Sequence, residues 1–195
     1  MKRLFFISSL VLSVLSCAQS KVDLSERALE LCQYIPDHEL NPEARDYMTA
    51  EFYAALDEAF EAPVVDYGEI GENEWLFYFV TGNGGSRPDY SVKSVSEPSG
   101  NTATATINVK DVWDEETGPE GEGVDYQISM KCVNGKWLLD DFDGKKAECI
   151  AYIKEMRAKY ESGELLKYME SEDYFQEYIP DFKERIAAFY EKFGK

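Results

Sequence analysis

Val124-Asp125-Tyr126-Gln127-Ile128-Ser129-Met130-Lys131-Cys132-Val133-Asn134-Gly135-Lys136-Trp137-Leu138-Leu139-Asp140-Asp141-Phe142 carries two alternating runs joined by Asn134-Gly135. An Asn-Gly pair between such runs is the favoured two-residue hairpin turn, because both positions tolerate the positive φ that a type I′ turn demands. A two-residue turn fixes register, so the spacing predicts Val133 opposite Lys136, Cys132 opposite Trp137, Met130 opposite Leu139 and Ile128 opposite Asp141. One face then carries Tyr126, Ile128, Met130, Cys132, Trp137 and Leu139. The other carries Gln127, Ser129, Lys131, Asp140 and Phe142 and is expected to be largely wet.

Upstream, Pro98-Ser99-Gly100-Asn101 supplies turn chemistry between Tyr90, Val92 and Ser94 on one side and Ala103, Ala105, Ile107 and Val109 on the other. That pattern reads as a second one-sided hairpin. The first third of the chain has helical period. Asp23-Leu24-Ser25-Glu26 looks like a helix start, and Leu24, Ala28, Leu31, Cys32 and Ile35 form one apolar stripe ended by Pro36. Asn41-Pro42-Glu43 opens a second helix, with Thr49 as an internal restart before Phe52, Leu56 and Phe60, and Pro63 closes it. Downstream of Asp143-Gly144 the helical period returns, with Cys149, Ile150, Ile153, Met156 and Tyr160 on one stripe and Gly163 as its stop. Shorter helical segments follow over Leu165 to Met169, Tyr174 to Ile179 and Phe182 to Phe193, and their apolar residues predict a tail docked on the domain. The chain is therefore expected to be α+β: N-terminal helices packed on a curved antiparallel sheet, with a C-terminal helical extension.

Lys2 and Arg3 followed by the apolar run Leu4 to Leu15, too short to span a bilayer, read as a signal sequence over 1–16. Val14-Leu15-Ser16-Cys17 resembles a lipobox, so Cys17 is the expected lipidation site; the rival is ordinary cleavage after Ala18. The chain then divides into a lipidated cysteine and tether at 17–22, a domain at 23–143 and the helical extension at 144–195. Of 20 lysines and arginines, loss of Lys2 and Arg3 leaves 18 against 38 carboxylates, net −20. Such a surface repels nucleic acid and anionic head groups, so the membrane is expected as a partner only through the lipid anchor. The expected location is the cell envelope, outer-membrane-anchored and either periplasmic or surface-exposed. Export permits a disulfide among Cys32, Cys132 and Cys149, with Cys132 to Cys149 the shorter loop; the alternative is buried free thiols.

Two helices, then antiparallel strands ending in Gly135-Lys136-Trp137-Leu138-Leu139-Asp140-Asp141-Phe142, together with Met48-Thr49-Ala50-Glu51-Phe52-Tyr53, resemble the α+β cone of the nuclear transport factor 2-like superfamily. The chain is most similar there to uncharacterised lipoproteins of Bacteroidetes. The resemblance spans Leu24 to Phe142 and implies a pocket at the wide end of the cone, used by some members for proton transfer or hydration and by many for binding alone.

On that expectation Tyr126, Ile128, Met130, Trp137 and Asp141 are the candidate ligand-binding residues. Asp141, turned toward the apolar face beside Ile128, is the candidate general acid or base, since desolvation would raise its pKa. The competing reading of Asp141 is a strand-end carboxylate bonded to amides at the next helix start. His38 is the only histidine, and no GxSxG stands in the chain, which excludes chemistry needing two imidazoles. Asp114, Glu115 and Glu116 concentrate oxygen ligands on a loop of the kind calcium accepts, without the ordered spacing of a calcium loop. Asp141-Phe142-Asp143-Gly144 has the middle of an EF-hand loop but lacks its first and last ligands. Trp75, Phe77, Tyr78 and Phe79, followed by Gly82-Asn83-Gly84-Gly85, read either as a core strand and loop or as an aromatic pocket wall. No cofactor motif is present; the expected partner is a small molecule or a protein in the envelope, with a cone-type enzyme and a structural interaction module as alternatives.

Overall fold

The computed structural model describes residues 21–36, 39–66, 69–71, 86–113 and 118–194. Cys17, His38, Asp114, Glu115, Glu116 and the segment from Trp75 to Gly85 lie outside them. The described chain is α+β, with α1 (Lys21–Cys32), α2 (Ala50–Glu61), β1 (Val64–Asp66), β2 (Glu69–Gly71), β3 (Arg87–Val95), β4 (Thr102–Val112), β5 (Glu120–Val133), β6 (Lys136–Phe142), α3 (Lys145–Ser162), α4 (Glu164–Ser171) and α5 (Ile179–Phe193). The four strands β3-β4-β5-β6 form an open antiparallel sheet in sequence order, and β1 and β2 form a separate small ladder that the sequence pattern does not reveal.

The N-terminal half keeps its predicted apolar positions while its boundaries move. Leu24, Ala28, Leu31, Cys32 and Ile35 are all buried. The helix carrying them begins at Lys21, so Asp23 lies inside α1 rather than at its cap. Asn41 does cap, accepting from the Glu43 amide, but it starts a 3-10 turn over Pro42–Asp46. Thr49 starts a separate helix: its hydroxyl accepts from the Phe52 amide and caps α2. Between the two, the chain runs along the outer edge of β6. The Leu139 amide donates to the Tyr47 carbonyl and the Thr49 amide to the Leu139 carbonyl, each at 2.8 Å. Those bonds satisfy a sheet edge that would otherwise be left open.

The hairpin departs from strict alternation at one place. Val133 pairs with Lys136, Cys132 with Trp137 and Met130 with Leu139, as the turn dictates, but Asp141 then pairs with Ser129 and Phe142 with Ile128. Asp140 is the extra residue of a bulge. Without it, Asp141 would enter the apolar face and Phe142 would leave it. Burying an unpaired carboxylate is costly, and burying Phe142 is worth about 1.5–3 kcal/mol, so the bulge is favoured on both counts. Phe142, expected on the wet face, is consequently part of the core, with Trp137, Leu139, Ile128 and Met130.

The C-terminal helices join the same core. Cys149, Ile153, Met156 and Tyr160 of α3 are buried, as are Met169, Phe175, Phe182 and Phe189 beyond it. Ile150, assigned to the stripe by spacing, is instead 55% exposed. Gly163 ends α3 in the left-handed region at φ 67°. Cys32 and Cys149 are free buried thiols, so the disulfide weighed between Cys132 and Cys149 is not formed.

Candidate functional site

The end of β6 is where sequence reasoning placed a candidate acid or base, and the bulge decides what stands there. Asp141 Oδ1 accepts from the Lys146 amide at 2.8 Å and Oδ2 from the Gly144 amide at 2.9 Å. Both oxygens therefore serve the start of α3, where unpaired amides and the helix dipole favour a negative charge. Opposite Ser129 rather than Ile128, Asp141 loses the apolar setting on which a general acid or base role rested. Asp143-Gly144 completes the strand-to-helix connection in the left-handed region, at φ 47° and 86°, and Asp143 Oδ1 accepts from the Gln127 amide. The resemblance of this stretch to an EF-hand loop is thus a helix cap.

Asp140, turned out by the bulge, accepts from the Thr49 hydroxyl at 2.8 Å and from Lys146 Nζ at 3.0 Å. Lys146 also reaches Glu51, which meets Lys131 of β5 at 3.3 Å. The hydrogen bond from Lys131 first, and then the Lys146 ammonium, hold the Glu51 carboxyl below its usual range. This network ties the starts of α2 and α3 to the last two strands. Beside it a cleft of about 450 Å³ is lined by residues including Thr49, Glu51, Asn101, Lys131 and Asn134. The carboxylate and ammonium groups of the junction bond to one another or to backbone amides, an arrangement that positions elements.

The predicted ligand-binding residues are brought together, but as packing. Ile128 and Met130 are fully buried and Trp137 is 2% exposed, within one cluster that includes Leu139 and Phe142. The Trp137 carbonyl accepts from Arg27 Nε of α1 at 2.8 Å, while its indole N–H makes no hydrogen bond. Tyr126 is half-buried and tilts against Phe142 with ring centroids 5.2 Å apart; burial pushes its phenol up. Asp141 is not part of this cluster. The described residues contain no group of three or more His, Cys, Asp or Glu side chains able to hold a metal ion. The calcium candidates Asp114, Glu115 and Glu116 lie outside them.

Sequence reasoning missed two features. The bulge has a visible signal: Asp140-Asp141 breaks a period of two that resumes at Phe142. The other is a group of exposed tyrosines, Tyr168, Tyr174 and Tyr178, around the α4–α5 connection. Tyr168 and Tyr174 each precede a buried residue, Met169 and Phe175, and a stripe pattern does not separate them from core. No described helix is long and apolar enough to cross a membrane. No protein-family model, curated protein or solved structure matches this chain.

Proposed function

We propose that the protein is a non-catalytic binding module of the cell envelope, exported on its leader, held to a membrane by lipid on Cys17, and acting through its outer surface on a protein partner. The carrying observation is the state of the inward sheet face: Ile128, Met130, Trp137, Leu139 and Phe142 fill it, and the one carboxylate expected there caps a helix instead. A ligand-binding interior needs concave space with a few convergent polar groups. The α+β cone is the architecture we assign within this reading, supported by the contacts of α1 with β3 and β6 and by the Tyr47-to-Thr49 segment seated along β6. Within this reading the described sheet face is packed by its own side chains, with α1 and α2 against the sheet and α3 against the end of β6.

The anchor is tested by fractionation. Wild-type protein should sediment with membranes and carry the mass of a diacylglyceryl group on its N-terminal cysteine, and Cys17→Ala should move to the soluble fraction. Unchanged fractionation of the variant would refute the anchor. The calcium reading of the acidic loop is tested by chelation: a melting temperature unmoved by chelator and by added calcium leaves Asp114, Glu115 and Glu116 as a solvated loop.

A further inference from the structure

Among the described residues, eight large apolar or aromatic side chains stand exposed, and three of them, Tyr168, Tyr174 and Tyr178, fall within eleven positions of one connection. Phe175, fully buried, anchors the group: its ring lies 5.6 Å from that of Tyr168 and 4.4 Å from that of Tyr174. A hydrogen bond with the Tyr168 hydroxyl pushes the Tyr174 phenol up to about 12. Tyr168 and Tyr174 are therefore held against a core residue while remaining about half exposed, and Tyr178 follows them as a third exposed ring. In sequence they are flanked by Glu164, Glu170, Glu172, Asp173 and Glu177, with Lys167 as the single cation between 164 and 178, and Glu172 lies within electrostatic reach of Tyr174.

Elsewhere in the chain, cations lie over tyrosine rings that are buried or half-buried. Arg27 and Lys136 lie over Tyr47 at 5.6 and 4.9 Å, Arg45 over Tyr53 at 4.9 Å and Arg157 over Tyr190 at 5.4 Å. Among the described residues no cation stands over Tyr168, Tyr174 or Tyr178. A tyrosine face attracts a cation through its quadrupole, and a guanidinium both stacks on the ring and forks to a neighbouring carboxylate. A second copy of this chain is a poor occupant, because its charge repels its own kind. An anionic membrane is excluded on the same ground.

We infer that the α4–α5 connection, with Tyr168, Tyr174 and Tyr178 at its centre and carboxylates at its rim, is the docking surface for an arginine-bearing basic segment of a partner protein. This rests on the reading that function lies on the outer surface. It names the region of that surface and the chemistry it selects.

The test uses the full chain in neutral detergent and a labelled octapeptide of alternating arginine and glycine, with its lysine counterpart, read by fluorescence anisotropy. The arginine peptide should bind at least fivefold more tightly than the lysine peptide. Tyr168→Ser combined with Tyr174→Ser should weaken the arginine peptide at least tenfold and erase that preference, while Ile150→Ser, an equally exposed change on α3, should leave it intact. Should the double variant melt early, Glu170→Gln with Glu177→Gln keeps the rings and should still cost several-fold in affinity. The inference is overturned by failure of the arginine peptide to bind, by equal affinity for wild type and tyrosine variant, or by saturable binding of maltoheptaose in place of the peptide. Saturable filling of the interior by an apolar probe would instead overturn the surface reading itself, so the two failures are distinct.

Discussion

Asp141 shows how a single carboxylate can be read two ways from its spacing and one way from its bonds. With its oxygens on the Gly144 and Lys146 amides at the start of α3, Asp141→Ala should destabilise the fold by about 1–2 kcal/mol, the usual worth of a helix-start acceptor, in a urea titration with unchanged slope. A variant as stable as wild type would deny the cap. Gly123 provides a sharper case. At φ 75° a Cβ there would stand 2.6 Å from the Val109 carbonyl oxygen, whereas at Gly121, φ 72°, it would meet open space. Gly121→Ala should cost roughly 1–2 kcal/mol from backbone strain alone, and Gly123→Ala clearly more, because the strand must also shift. Burial pushes the Cys32 and Cys149 thiols from the ordinary 9.0 up to about 12. The folded state thus holds these protons more tightly than the unfolded chain does. Their contribution is constant below about pH 9 and is lost as pH rises from there toward 12. Alkylation of either thiol at pH 8 should await unfolding; rapid labelling of the native protein would contradict their burial. Residue types and the Asn134-Gly135 turn made the first half of the hairpin legible. The place of Asp141 was not, because one bulged residue inverts the faces beyond it, and the choice between inversion and strict alternation is made by the core that Phe142 enters.

The elements divide along the same line. Helical stripes and hairpins follow from local periodicity, so α1, β3 to β6 and α3 were legible, whereas β1 and β2 are too short to have a period. The docking of α5 depends on groups far apart in sequence. Arg157 Nη2 and Nε meet Glu58 Oε1 at 2.6 and 2.9 Å, its Nη1 donates to the Gly194 carbonyl at 2.6 Å, and its guanidinium lies 5.1 Å from the Phe189 ring. Tyr160 adds a hydrogen bond from its hydroxyl to the Pro63 carbonyl. These bonds join α2, α3 and α5 with little solvent to screen them, unlike the surface pair Arg185 and Asp181. Arg157→Ala should destabilise by about 1–3 kcal/mol and speed hydrogen exchange through α5, while Arg185→Ala should change stability by less than about 0.5 kcal/mol. Equal effects would mean that α5 is held by its apolar face alone. Phe182→Ala, which empties a fully buried site, should cost about 3–5 kcal/mol.

At the scale of the molecule, one core extends from α1 through the sheet to α5, and a strongly acidic surface surrounds it. That charge was legible from composition. The filling of the sheet face by the described residues was not legible, because apolar residues at strand spacing line a cavity or fill a core with equal regularity, and only the helices packed against them separate the two. The proposal that function lies on the outer surface rests on that filling. The most direct test is titration of the native protein with 1-anilinonaphthalene-8-sulfonate, followed by fluorescence. A filled interior predicts no saturable enhancement until the cooperative unfolding transition, and no change in melting temperature with dye. Saturable one-to-one binding to the native protein, weakened by Trp137→Phe or Met130→Ala, would contradict the closed interior and return the search to small ligands.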